Sequence, residues 1–171
     1  MNAPSLAGYL LAPMVPGDAP DWADYVLLPE VKRLTSSSCE SVADLLPMIE
    51  RSQSGDPSAP RLFSVREAAS GRFVAAIGFH TVSALNRSAE VTYDVRPDCQ
   101  GRGLATALCE AAVAWGFAAQ GWVRIQATTL VEHVASQRVL AKCGFAHEGR
   151  LRNFRIVRGE PRDYLMFSRI P

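Results

Sequence analysis

The stretch "DCQGRGLATALCEAAVAWGF", Asp98 to Phe117, decides how the chain is read. It sets Gly101-Arg102-Gly103 directly before an almost wholly apolar run, in which Leu104, Ala107, Leu108, Ala111, Ala112 and Trp115 fall at helical spacing. A helix start ordinarily carries a Ser, Thr, Asp or Asn cap, and two glycines add to the entropy lost on folding. A helix N-terminus does, however, present unpaired N–H groups and about half a positive charge. Glycines let an anion come close to that backbone. The stretch therefore predicts an anion-binding helix start, entered from the strand-like "SAEVTYDVRP" before it.

Outward from this point the chain alternates strand and helix patterns. Upstream, "AGYLLAPM" reads as a strand, "DAPDWADYVLLPEVKRL" as one helix capped by Asp18 and stopping near Pro29, and "SCESVADLLPMIERSQ" as a second helix. Pro47 marks that second helix as kinked or short. After the loop "SGDPSAP", the runs "RLFSVREA", "RFVAAIGFHTV" and "SAEVTYDVRP" read as strands. Downstream come the strand "WVRIQATT", a helix "VASQRVLAKCG" closed by Gly144, and two strands, "FAHEGRLRNFRIV" and "PRDYLMFSRI". The pattern predicts a single mixed α/β domain over residues 1–171.

Composition sets the wider bounds. The 171 residues are 48% hydrophobic and 20% charged, as in a globular domain, and no apolar run reaches membrane-spanning length. Cys39, Cys99, Cys109 and Cys143 are scattered without a C-x-x-C pair, which suits reduced thiols in the cytoplasm and neither a disulfide frame nor a metal site. No dense basic patch interleaved with aromatics points to nucleic acid. The net charge of +1 is uneven: residues 1–60 hold eight acids against three bases, and residues 61–171 hold nine acids against fifteen bases. Two readings stand, either two solvated faces or an acidic side for a cationic substrate with a basic side for a phosphorylated one.

Three phosphate-binding loops compete for Gly101–Gly103. A Walker A loop needs a lysine that is absent here, and a dinucleotide fingerprint needs Gly or Ala where Thr106 stands. The third pattern, [QR]-x-x-G-x-[GA], is matched by Gln100-Gly101-Arg102-Gly103-Leu104-Ala105. With "AEVTYDVRPDCQGRGLATA", "VRIQATTLVEHVASQRVLAKCGFAHEGRLR" and "GEPRDYLMFS" around it, the chain resembles the GCN5-related N-acetyltransferase (GNAT) superfamily, in its RimJ/RimL-like, ribosomal-protein-acetylating branch. The resemblance covers about residues 5–170. It implies a central, mostly antiparallel twisted sheet whose parallel fourth and fifth strands splay apart, flanked by about four helices. It also implies an acetyl-CoA-binding core at about 88–145, an acceptor-side region at about 1–60, and a monomer or homodimer.

The same resemblance implies a site. Gln100, Gly101, Arg102, Gly103, Leu104, Ala105 and Thr106 would hold the pyrophosphate of acetyl-CoA. Backbone groups of Tyr93, Asp94 and Val95 would pair with the pantetheine amides. Ser136 matches a serine that lies near the CoA sulfur, and His133 replaces the family's asparagine. Each side chain also has a plainer reading: Arg102 as a solvated loop residue, Ser136 as a helix cap, His133 as structural. Glu90, on the strand leading to the loop, is the candidate general base or else an ion-pair partner. No carboxylate lies in "RLRNFRIV", where some relatives carry one. His80 and His147 read as structural or surface, and Trp22 and Tyr25 as cleft-lining or packing residues.

The chemistry expected is direct transfer of an acetyl group to a primary amine in a ternary complex, without metal. A peptide α-amine, with a pKa near ~7.8, loses its proton at pH 7 for about 1 kcal/mol, whereas lysine at ~10.4 costs about 4–5 kcal/mol. An α-amine acceptor therefore asks for only a weak base. A small-molecule amine acceptor and a non-catalytic CoA-binding module remain as alternatives.

Overall fold

A computed structural model describes residues 3–171. Its strands are β1 (Tyr9–Pro13), β2 (Arg61–Glu67), β3 (Phe73–Ser83), β4 (Ser88–Val95), β5 (Arg124–Leu130), β6 (Ala146–Val157) and β7 (Glu160–Arg169). The helices are α1 (Ala19–Val26), α2 (Pro29–Lys32), α3 (Val42–Ser52), α4 (Leu104–Gln120) and α5 (Val134–Lys142). The strands form one sheet in the order β1-β2-β3-β4-β5-β7-β6, in which β4 and β5 are the parallel pair. Among the described residues no helix is long and apolar enough to cross a membrane. All four cysteines are free.

The helices divide between the two faces. On one, Leu108, Cys109, Ala112 and Val113 of α4 and Leu140 of α5 are fully buried against Phe79, Ile77 and Ile125 of the sheet. Trp115 and Trp122 close that core, each meeting the Phe79 ring. α4 buries one face, from Leu104 to Gly116, and leaves Ala114, Ala118 and Ala119 exposed on the other. On the other face Trp22, Tyr25 and Val26 of α1 and Leu45 and Ile49 of α3 pack over Leu62, Phe73 and Ala76. Strand alternation sends Val91 and Val95 to the α4 face and Asp94 to the α1 face, where it bonds Trp22 and Tyr25.

One local expectation changes. The segment from Asp18 to Leu34 is not one capped helix. Asp18 Oδ2 turns back to accept from the Val15 N–H (3.0 Å), closing a short 3₁₀ turn, and Pro29 opens a separate α2. The second helix runs through Pro47 to Ser52, fixed at its start by Asp44 Oδ2 accepting the Ser41 N–H at 2.9 Å. Helices thus number five among the described residues where about four were expected.

Candidate functional site

The site begins where β4 and β5 part. Their pairing covers only Ser88 to Glu90 against Arg124 to Gln126. Beyond it β4 stays with β3 as far as Val95, and β5 stays with β7 as far as Leu130. The facing edges separate into a cleft of about 140 Å³, bordered by Val91–Tyr93, Ala127–Leu130, His133 and Ser136. Backbone groups on a parted sheet edge require a partner if they are buried. The cleft is therefore shaped for an extended chain that bears amides.

β4 leads into the glycine loop. Gln100 Nε2 donates to the Val95 carbonyl at 2.8 Å, so this side chain braces the loop and takes up one of the backbone acceptors expected to be open. Gly101 and Gly103 have φ of +75° and +81°, a conformation costly for any residue with a Cβ. Gly103 is the N-cap of α4 and makes no side-chain capping bond. A Cβ built at either glycine would meet nothing within 4 Å, so the space above this backbone is open. Arg102 is exposed at the same point, Leu104 is anchored in the core, and Ala105 and Thr106 are half-buried. Uncapped N–H groups beneath open space, with an arginine alongside, are suited to a phosphate.

The remaining residues separate by face. Tyr93 Oη lies 2.9 Å from Ser136 Oγ, joining β4 to α5 beside the cleft. Burial pushes the Tyr93 phenol far above its ordinary range. His133 borders the cleft, and its Nδ1 is buried without a protein partner. Burial, reinforced by Arg33, lowers the His133 pKa, so the ring is neutral near pH 7 and Nδ1 can meet an incoming amide. The Asp94 side chain, by contrast, points away from the cleft. It accepts from Trp22 Nε1 (3.2 Å), from Tyr25 and from the Ala76 N–H (3.3 Å). Trp22 and Tyr25 are thus ties between α1 and β4 and not part of the cleft lining.

Glu90 lies at the floor of the cleft, where the strands part, and is 3% exposed. Its Oε1 accepts from Thr128 Oγ1 (2.5 Å) and from Arg155 Nη2 (3.3 Å), and its Oε2 accepts weakly from Gln126 (3.4 Å). His80 Nε2 is 3.9 Å from Oε1, and burial lowers the His80 pKa. Glu90 is therefore both a cleft residue and an ion-pair partner. Sequence reasoning missed Thr128, Arg155 and the cleft position of His80. The β3–β4 register, which sets His80 opposite Glu90, was the signal for the last. Arg155 arrives through a bulge in β6, where Asn153 adopts φ +50° and donates its N–H to Asp163 Oδ1 (2.7 Å).

The acidic N-terminal region does not face the cleft. Asp18 and Asp21 bond Arg66 (2.8 and 2.7 Å), Asp24 bonds Arg96 (2.7 Å), and Glu40 bonds Lys32 (2.6 Å). What residues 1–60 do contribute is a loop, Leu34 to Ser36, along the open side of the cleft. Arg158, from the β6–β7 turn, holds this loop by donating to the carbonyl of Lys32 at 2.9 Å.

Comparison with known proteins places the chain in a family and a fold. Over 95 residues the chain is 36% identical to the uncharacterized N-acetyltransferase YoaA of Bacillus subtilis (strain 168); the match takes in 56% of this chain and spans about half (54%) of that relative's length. Mycobacterium smegmatis RimJ in complex with CoA-disulfide superposes with a TM-score of 0.82 at 25% identity, over 95% of this chain and 81% of that one. Vibrio cholerae spermidine N-acetyltransferase in complex with CoA and spermine gives 0.84 at 20% identity over 96% of both chains, and this likeness is one of fold. The acetyltransferase (GNAT) domain model matches residues 9–146, and the chain belongs to that family.

Proposed function

We propose that the chain is an acetyl-CoA-dependent N-acetyltransferase that passes the acetyl group directly to a primary amine while both substrates are bound. The observation that carries this reading is the juxtaposition of a parted β4–β5 pair with an uncapped, glycine-led start of α4. The first suits pantetheine and the second a pyrophosphate. CoA complexes of the fold neighbours, RimJ among them, support it.

Acetyl-CoA supplies an acetyl thioester; the chain's own residues position it and move protons. The Gly101–Thr106 backbone and Arg102 hold the phosphates, and His133 Nδ1 and the free edges near Tyr93 hold the amide-bearing arm. Glu90 takes the proton that the amine sheds as its nitrogen bonds the carbonyl carbon. When the carbon–sulfur bond breaks, the linked hydroxyls of Tyr93 and Ser136 return a proton to the sulfur. Cys99 is buried with its thiol pKa raised by burial, which argues against a covalent acyl-enzyme.

A protein N-terminal α-amine is the acceptor we favour. Its low deprotonation cost fits a base already engaged by Arg155, and the fold is shared with a ribosomal-protein-S5-alanine acetyltransferase from Vibrio fischeri. A small-molecule amine is the second reading, supported by the fold shared with the spermidine enzyme. The four free cysteines suit a cytoplasmic setting. The test is mass spectrometry of products from acetyl-CoA with a pooled set of N-terminal peptides, polyamines and aminoglycosides. An acetylated product names the acceptor class. Tight CoA binding with no product from any pool would turn the assignment to a non-catalytic CoA-binding module.

A further inference from the structure

We propose that Arg155 selects the acceptor, making the cleft a site for a primary amine with a carboxylate close by and excluding polyamines. This rests on the acetyl-transfer reading above. Among the described residues that line the cleft, Glu90 is the only carboxylate and Arg155 the only arginine or lysine. Glu90 can balance one positive charge, and Arg155 already supplies it at 3.3 Å. None of the eight acids in residues 1–60 lines the cleft. An acceptor with a second or third ammonium group would bring those charges to Arg155 with no carboxylate to receive them.

Arg155 also has unused donors. Only its Nη2 is engaged, by Glu90 and, at 3.5 Å, by Thr128. The guanidinium lies over the rings of Phe154 and Tyr164, with 5.2 and 5.5 Å to the ring centroids, and the side chain is 32% exposed. Cation–π contact with both rings holds the group in place, and its Nε and Nη1 remain free to donate to an acid. Tyr164 supplies an independent pointer. It is 3% exposed, it borders the cleft, and its Oη has no hydrogen-bond partner. A buried hydroxyl donor beside a half-used guanidinium matches a carboxylate that accepts from both. Two sources carry this chemistry: a free amino acid, or a peptide N-terminus with Asp or Glu among its first residues.

The experiment measures CoA-thiol release with free glutamate, with spermidine, and with two peptides of equal length that carry Glu or Lys at the second position. Wild type and the variants R155Q and R155K are compared. Wild type is expected to favour the acidic acceptors over the Lys peptide and spermidine by at least about tenfold in kcat/KM, the scale of one charge-assisted bond. The free amino acid and the Glu peptide separate the two sources. R155Q is expected to collapse or reverse this ratio, because Glu90 is then left unbalanced, while R155K keeps part of it. An Arg155 that merely braces β6 would lower every acceptor together and leave the ratio unchanged, and that result overturns the proposal. So does a wild-type preference for spermidine. If wild type turns over no acceptor, the acetyl-transfer reading is what fails; calorimetric binding of the same acceptors to CoA-saturated protein then reads the preference, and equal binding overturns it.

Discussion

Tyr93 Oη and Ser136 Oγ lie 2.9 Å apart, so a hydroxyl of β4 meets a hydroxyl of α5 beside the cleft. Burial raises the Tyr93 phenol far above its ordinary range, with the bond to Ser136 opposing only part of that rise. The phenol therefore keeps its proton at any working pH and can serve as a donor. Either hydroxyl can stand in partly for the other. Y93F and S136A are each expected to lower kcat about tenfold, and the double variant about a thousandfold, more than the product of the two. KM for acetyl-CoA should move little. Thiol-release kinetics decide the matter: an unchanged kcat in Y93F would reduce the tyrosine to a packing residue.

Replacing Glu90 by Gln removes the proposed proton acceptor and keeps the size of the side chain. We expect kcat/KM for the acceptor to fall about a hundredfold, the lower end for a positioned general base, with CoA affinity unchanged. The variant also leaves Arg155 without its counter-charge. Thermal unfolding measured in parallel separates lost chemistry from lost structure. Full activity in E90Q would assign the carboxylate to the ion pair alone.

The sequence was most legible where backbone chemistry dictates residue type. Gly101 and Gly103 occupy left-handed conformations that other residues avoid, so their spacing before an apolar run announced the loop. The succession of strands and helices along the chain followed from period-two and helical patterning, and the β4–β5 splay from family resemblance. Side-chain partners across the sheet were not legible. Arg155 reaches Glu90 only because a bulge at Asn153 re-aims β6, and no periodicity encodes that. Likewise the sequence leaves two readings of the acids of residues 1–60, a solvated face or a substrate-facing side, and does not choose between them. Distant Arg66 and Arg96 claim three of them, and those pairings exist only after folding.

Gly103 offers a test of the phosphate site that is separate from the chemistry. Its φ of +81° makes an alanine strained by about 1–2 kcal/mol, although no neighbouring atom obstructs the added methyl. G103A is expected to bind CoA roughly tenfold more weakly by calorimetry and to melt a few degrees lower. Unchanged CoA affinity would remove the start of α4 from the site.

Asp94 gives stability a pH dependence of unusual sign. Burial raises its pKa from the ordinary 3.8 to about 6, even though bonds from Tyr25, Trp22 and the Ala76 N–H pull the other way. Between those two values the folded chain holds a proton that the unfolded chain has released. Raising the pH through this window therefore destabilises the fold. The cost is absent below about pH 4 and complete above the folded value, on the order of 3 kcal/mol. D94N cannot titrate but keeps an oxygen for Trp22 or Tyr25. The melting temperature of wild type minus that of D94N should thus fall by several degrees between pH 4 and pH 7, and the subtraction cancels groups of opposite sign, such as Glu148, which Arg124 holds down at about 2. A difference that stays flat across this range would mean that Asp94 ionises freely in the folded chain, and that the α1–β4 tie is wet.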